Sequence, residues 1–150
     1  MKITSQEEYG LRCLLQLAKT PSNQVVSVKE IAGKEGLSSA YVEKLLRILS
    51  RAGLVHSARG VKGGYALNRP ASSVTLGEVV RALGTVQTTN HICQHFTGNQ
   101  RVCVHFSDCG IRSIWSGLTT YIQSFLDQTT LDHLLQSEYS VSERLATRVR

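Results

Sequence analysis

At 150 residues and 41% apolar, the chain has material for one cored domain, or for one domain with an appendage. Its formal charge is +6, and the whole excess lies in residues 1–84, which carry 12 Lys/Arg against 6 Asp/Glu, while residues 85–150 carry 5 against 5. That asymmetry suits an N-terminal part that meets a polyanion, although modest basicity is common among proteins at large. No apolar run approaches the roughly 20 residues of a membrane span, and Met1-Lys2-Ile3-Thr4 opens no signal peptide. The expectation is no membrane association and a reducing, cytoplasmic setting, where thiols are more often free, metal-bound or reactive than paired.

A first helix is predicted from about Glu7 to Lys19, with Leu11, Leu14, Leu15, Leu17 and Ala18 on one side. Thr20-Pro21-Ser22-Asn23 ends it, since proline has no amide for a helix interior. Ser27-Val28-Lys29-Glu30 reads as a capping box opening a short helix that stops at Gly36. Ser38-Ser39 starts the next, with Val42, Leu45, Leu46 and Leu49 at helical spacing and Gly53 as its left-handed terminator. Leu54–Ala58 and Tyr65–Leu67 read as strands around Arg59-Gly60-Val61-Lys62-Gly63-Gly64. A second capping box, Thr75-x-x-Glu78, opens a helix ending near Gly84. Residues 85–110 are polar and aperiodic, and a long amphipathic helix follows from about Ile111 to Asp127. Its apolar side carries Ile114, Trp115, Leu118, Ile122, Phe125 and Leu126. Thr130 caps a last short helix through Leu135, and residues 138–150 are expected to be a loosely held tail.

Two short helices joined by Glu35-Gly36-Leu37-Ser38 have the spacing of a helix-turn-helix, and a glycine-rich basic hairpin after them makes a wing. The fold class expected is mainly α with a small β-hairpin: a winged helix-turn-helix over 1–84, a cysteine loop over 85–110, then a long dimerisation helix and short C-terminal helix over 111–137. The second helix of such a motif offers its N-terminal side chains to the major groove, here Ser38, Ser39, Ala40, Tyr41, Glu43 and Lys44, with Arg47 one turn on. Hydroxyls and Lys44 suit phosphates, and Glu43 could accept from cytosine N4. A solvated helix face has the same composition, so the argument rests on the hairpin that follows, where Arg59 suits a narrow minor groove and Lys62 adds charge. The long helix, with so wide an apolar face, needs a cover. A twofold dimer supplies one, and folding back on its own domain is the alternative.

Cys93, Cys103 and Cys109 lie in the polar stretch, where an intracellular protein could hold a metal or an iron–sulfur cluster. Cys13, in the apolar first helix, reads instead as a small core hydrophobe.

Tyr9-Gly10-Leu11-Arg12, Val28-x-x-Ile31-Ala32, Ser38-x-x-Tyr41-Val42-Glu43-Lys44-Leu45-Leu46, Leu49-x-x-Ala52-Gly53-Leu54-Val55 and Arg59-Gly60-Val61-Lys62-Gly63-Gly64-Tyr65-x-Leu67 together resemble the IscR/NsrR-type winged-helix regulators. Thr75–Val80 and Thr129-Thr130-Leu131 continue the resemblance in the same order. What it implies is a homodimeric transcription regulator, a repressor, that reads pseudo-palindromic double-stranded DNA. It also implies an iron–sulfur cluster (2Fe–2S or 4Fe–4S) on Cys93, Cys103 and Cys109, responding to iron, cluster supply, redox state or nitric oxide. Nine residues separate the first two cysteines, more than in many members, and five separate the last two. Where some members place a histidine ligand three residues after the last cysteine, this chain has Arg112. Others use a first-helix carboxylate from the opposite subunit, a place occupied here by Glu8; His91, His95 and His105 are further candidates.

Three other chemistries stand beside that one. Cys93-x-His95, Cys103-x-His105 and Cys109 could bind zinc, though without the close cysteine pairs of structural zinc motifs. The thiols could form a reversible disulfide in a cluster-free regulator. A small iron–sulfur electron carrier would use the same cysteines but would not need a basic reading head. No dinucleotide fingerprint or catalytic triad stands out, and the expectation is a regulator rather than an enzyme.

Overall fold

A computed structural model describes residues 3–21, 24–60, 63–84 and 98–148. Among them are six α-helices and one two-stranded antiparallel hairpin, the winged-helix architecture expected. Helix α1 (Ser5–Ala18) begins earlier than the periodicity predicts, because Thr4 and Glu7 form a reciprocal capping box. The Glu7 carboxylate accepts from the Thr4 amide at 2.7 Å, and the Thr4 hydroxyl accepts from the Glu7 amide at 3.2 Å.

The helix-turn-helix is α2 (Val28–Glu35) followed by α3 (Ser39–Arg51). Gly36 and Gly53 take φ of 65° and 74° and end the two helices in the left-handed region. Only half of the box expected at Ser27 forms. The Ser27 hydroxyl accepts from the Glu30 amide, but the Glu30 carboxylate turns outward to Lys34 at 2.8 Å, where an exposed one-turn ion pair competes for it. The wing strands β1 (Val55–Ala58) and β2 (Gly64–Leu67) pair in register from Val55 with Leu67 to Ala58 with Gly64. A further pairing, Val26 with Tyr65, exchanges both backbone bonds at 2.9 Å and ties the wing to the start of α2. Gly64 is what lets the chain come so close: a Cβ there would press into the Val26 carbonyl.

Helix α4 (Leu76–Leu83) opens on the Thr75–Glu78 box with both halves made. The core combines Leu14 and Leu17 of α1, Ile31 of α2, Val42, Leu45, Leu46 and Leu49 of α3, and Val79 and Leu83 of α4. Leu131 is also wholly buried in it. Residues 1–84 therefore do not close their core alone. The 3-10 turn Leu131–Leu135 returns to it, with Leu76 N–H donating to the Thr129 carbonyl at 2.8 Å and Leu131 N–H to the Val74 carbonyl at 2.9 Å.

Between these lies α5 (Gly110–Asp127), which packs on α4 and is anchored at its far end by Asp127 to Arg81 at 2.8 Å. None of its residues is buried. Beyond it, the segment expected to be a tail carries helix α6 (Glu138–Arg148). Serine 137 starts it by accepting from the Ser140 amide, a capping signal that its thin apolar pattern had hidden. No helix among the described residues is long and apolar enough to cross a membrane.

Candidate nucleic-acid interface and cysteine loop

The start of α3 presents small, exposed polar residues. Ser38 caps the helix by accepting from the Tyr41 amide at 3.2 Å, and a hydroxyl in that role still has its own proton to donate. Ser39 and Ala40 are exposed in the first turn, where helix amides lack intrahelical partners and small side chains allow close approach. Lys44 is exposed and joins no ion pair among the described residues. Glu43 and Arg47 are not independent readers, because they pair one turn apart at 2.6 Å. Tyr41 is half-buried, and its ring meets Tyr9 of α1 edge-on at 6.2 Å and 79°. Arg59 is exposed at the tip of the wing, next to the end of β1; Lys62 lies outside the described residues.

Helix α1 carries Glu8, exposed and bonded to Arg12 Nε at 2.8 Å. That bond, with the attraction of the two charges, pushes the Arg12 guanidinium pKa up. Arg12 also lies 4.0 Å from Glu35, the last residue of α2, which accepts from the Gln16 amide. One residue from Arg12, Cys13 is fully buried, and burial followed by the Glu35 charge pushes its thiol up to about 11. A thiol held protonated in the core is a poor ligand and a poor nucleophile, which fits the packing role its sequence context suggests.

The loop thiols stand in a different setting. Cys103 and Cys109 are free and half-buried, and Cys109 is the residue from which α5 starts. Phe106 N–H donates to the Cys103 carbonyl at 2.9 Å, forming a turn. Arg112, on the first turn of α5, donates from Nη2 to the Phe106 carbonyl at 2.6 Å and the His105 carbonyl at 3.2 Å. Its guanidinium also lies 5.5 Å from the centre of the Phe106 ring. Its Nε is buried with no hydrogen-bond partner among the described residues.

Cys93, His91 and His95 lie outside the described residues, and among those described no three His, Cys, Asp or Glu side chains converge. The groups that are present suit a soft, anionic group: two free thiols and, three residues after Cys109, a buried Arg112 N–H with no acceptor among the described residues. Reading from sequence saw Arg112 only as a missing ligand, and it missed Tyr9 as the contact between α1 and α3. The three-residue step from Cys109, which puts Arg112 one turn along the same helix, was the available signal for the first. The second had none.

A family model described as Rrf2, an iron-dependent transcriptional regulator, matches residues 3–137. Protein rrf2 of Nitratidesulfovibrio vulgaris is 35% identical over 136 residues, which cover 91% of this chain and 88% of that one. The HTH-type transcriptional regulator IscR of Cereibacter sphaeroides is 32% identical over 140 residues, covering 92% and 89%. Among solved structures, CymR, the global cysteine regulator of B. subtilis, superposes with a TM-score of 0.72 at 31% identity, covering 90% of this chain and 96% of that one. Transcription regulation, not catalysis, is what the family does.

Proposed function

This chain belongs to the Rrf2 family of iron-dependent transcriptional regulators, and we propose that it is a cytoplasmic homodimeric repressor whose grip on DNA is gated by an iron–sulfur cluster. The observation that carries the reading is a pair of junctions. Cys109 stands at the N-terminal boundary of α5, whose Ile114, Trp115 and Leu118 are exposed, and Glu8 is followed by Tyr9, which touches Tyr41 on α3. A cluster shared by Cys109 and Glu8 would join these two junctions and so couple α5 to α3.

In the proposed dimer, α5 crosses its twofold mate and covers Ile114, Trp115 and Leu118. The two copies of α3 and the wing then read half-sites about one helical turn apart, or a multiple of it. Ser38, Ser39, Ala40 and Lys44 hold phosphates, the Glu43–Arg47 pair faces base edges, and Arg59, with Lys62, enters the minor groove. Cys93, Cys103 and Cys109 would hold the cluster, with Glu8 of the opposite subunit as fourth ligand. When bound, the cluster supplies sensitivity to iron, oxidant and nitric oxide. In this chain Arg12 holds Glu8, and the next residue, Tyr9, packs on Tyr41, so a change of partner at Glu8 would reach α3 through α1.

The test is anaerobic purification with iron, sulfide and zinc assays, followed by DNA shift assays on a selected operator before and after the cluster is removed. Visible absorption should be lost in Cys93→Ala, Cys103→Ala and Cys109→Ala but kept in Cys13→Ala, and operator affinity should differ between the loaded and stripped forms. Stoichiometric zinc without iron or sulfide would sink the cluster. A second reading, a thiol–disulfide regulator without a cluster, is favoured by the two free thiols in one short loop and by the likeness to a cysteine regulator. Under it, metal assays are blank, and mild oxidation gives an intrachain disulfide that changes operator affinity.

A further inference from the structure

We propose that Arg112 is a positioning residue with two roles: it clips the Cys103–Cys109 loop onto α5, and its Nε–H serves as a hydrogen-bond donor to a thiolate or sulfide sulfur at that loop. The clip stands on the observed bonds alone, whereas the sulfur contact rests on the cluster reading above.

The turn that Cys103 begins and the helix that Cys109 starts meet only at this side chain among the described hydrogen bonds between the two. One guanidinium nitrogen holds two consecutive carbonyls, and the cation sits on the ring of the same residue, so His105 and Phe106 cannot swing away from α5 without breaking all three contacts. A guanidinium has donors in a fixed fork and no lone pair to offer a metal, so position 112 in this chain cannot be a ligand. Of the three N–H groups this leaves, Nε–H is buried with no partner among the described residues, and a buried donor left so is disfavoured until an acceptor arrives. A cluster bound to cysteines is anionic and rich in sulfur acceptors, and hydrogen bonds to its sulfurs help set its potential. Arg112 therefore exchanges a ligand for a cation and a donor at the same place in the chain, both of which favour the more negative, reduced form.

The experiment uses the full-length parent, Arg112→Lys and Arg112→Gln, purified anaerobically, with two readouts: the cluster's reduction potential, and amide exchange at Phe106 in the metal-free protein. Exchange at Phe106 should rise about fivefold or more in both variants, because neither can hold two carbonyls with one planar fork. The potential should move to more negative values in Arg112→Gln and by less in Arg112→Lys, which keeps the charge but loses the Nε donor. Unchanged Phe106 exchange in both variants overturns the clip. An unchanged potential in Arg112→Gln, in protein that carries iron and sulfide, overturns the sulfur contact while leaving the cluster reading intact. A parent with neither iron nor sulfide overturns the cluster reading and the sulfur contact together, and Phe106 exchange still decides the clip.

Discussion

Helices α3 and α5 carry apolar stripes of the same spacing and meet opposite fates. In α3, Val42, Leu45, Leu46 and Leu49 are all fully buried, covered by α1, α2 and α4 of the same chain. In α5, Ile114 is 69% exposed, Trp115 51% and Leu118 46%. A helical period announces an apolar face but not the body that covers it. The reading head finds its cover within the chain, and α5 finds most of its cover in another copy in the proposed dimer. Stability and assembly would then be housed in different helices and should separate under mutation.

That separation gives the largest expected effects. Leu46→Ala removes a fully buried side chain and should cost about 2–5 kcal/mol in urea unfolding, while folded protein keeps the parent's sedimentation. Trp115→Asp should do the reverse. It places an unpaired charge in the proposed α5 contact, so the protein should sediment as a monomer or aggregate, with the secondary structure of the reading head retained. A normal dimer from Trp115→Asp would mean that α5 is covered elsewhere, and the contrast between the two helices would fail.

The same contrast explains what could be read before folding. Local signals were legible: the left-handed stops at Gly36 and Gly53, the Thr75–Glu78 box, the hairpin, the long amphipathic helix. Thr4–Glu7 was equally local but fell ahead of the first apolar residue in the pattern. Nonlocal facts left no trace in period. Leu131 reads as one more leucine, yet it completes a core built more than 45 residues upstream, a distance on the order of several connections between elements. The Val26–Tyr65 pairing is of this kind as well. At the candidate interface, composition picked out the exposed groups, but not that Glu43 and Arg47 satisfy each other or that Tyr41 leans on Tyr9.

A middle-sized effect tests whether reading belongs to the N-terminal part. Arg59→Ala should weaken operator binding by about 1–3 kcal/mol, with the loss concentrated at A·T-rich minor-groove positions. Lys44→Ala should weaken all sequences more evenly and reduce the salt slope by about one unit. Both should leave the dimer untouched. Should both variants bind a selected operator as the parent does at every salt concentration, α3 and the wing are not the reading surface.

The smallest effect concerns a carboxylate that holds the reading head together. Burial on its own would raise the Glu78 carboxyl, but hydrogen bonds from Arg69 at 2.6 Å and from the Thr75 amide at 2.9 Å, with the Arg69 charge, outweigh it and leave the pKa below the ordinary 4.5. The folded protein therefore holds this proton less readily than the unfolded chain. The stability Glu78 contributes is fully present above the unfolded value, and it is lost as pH falls through the depressed folded one. Glu78→Gln retains a side chain able to complete the capping box while removing the charge, so it isolates the ionic part. At neutral pH it should cost on the order of 0.5–1 kcal/mol, because the pair with Arg69 is partly exposed. Urea midpoints followed from pH 6 to pH 3 should fall less steeply in Glu78→Gln than in the parent, with the two curves converging at the acid end. Parallel curves for parent and Glu78→Gln would place the acid sensitivity outside this box, with Asp132, also held low by its bond from Thr130, as the next residue to replace.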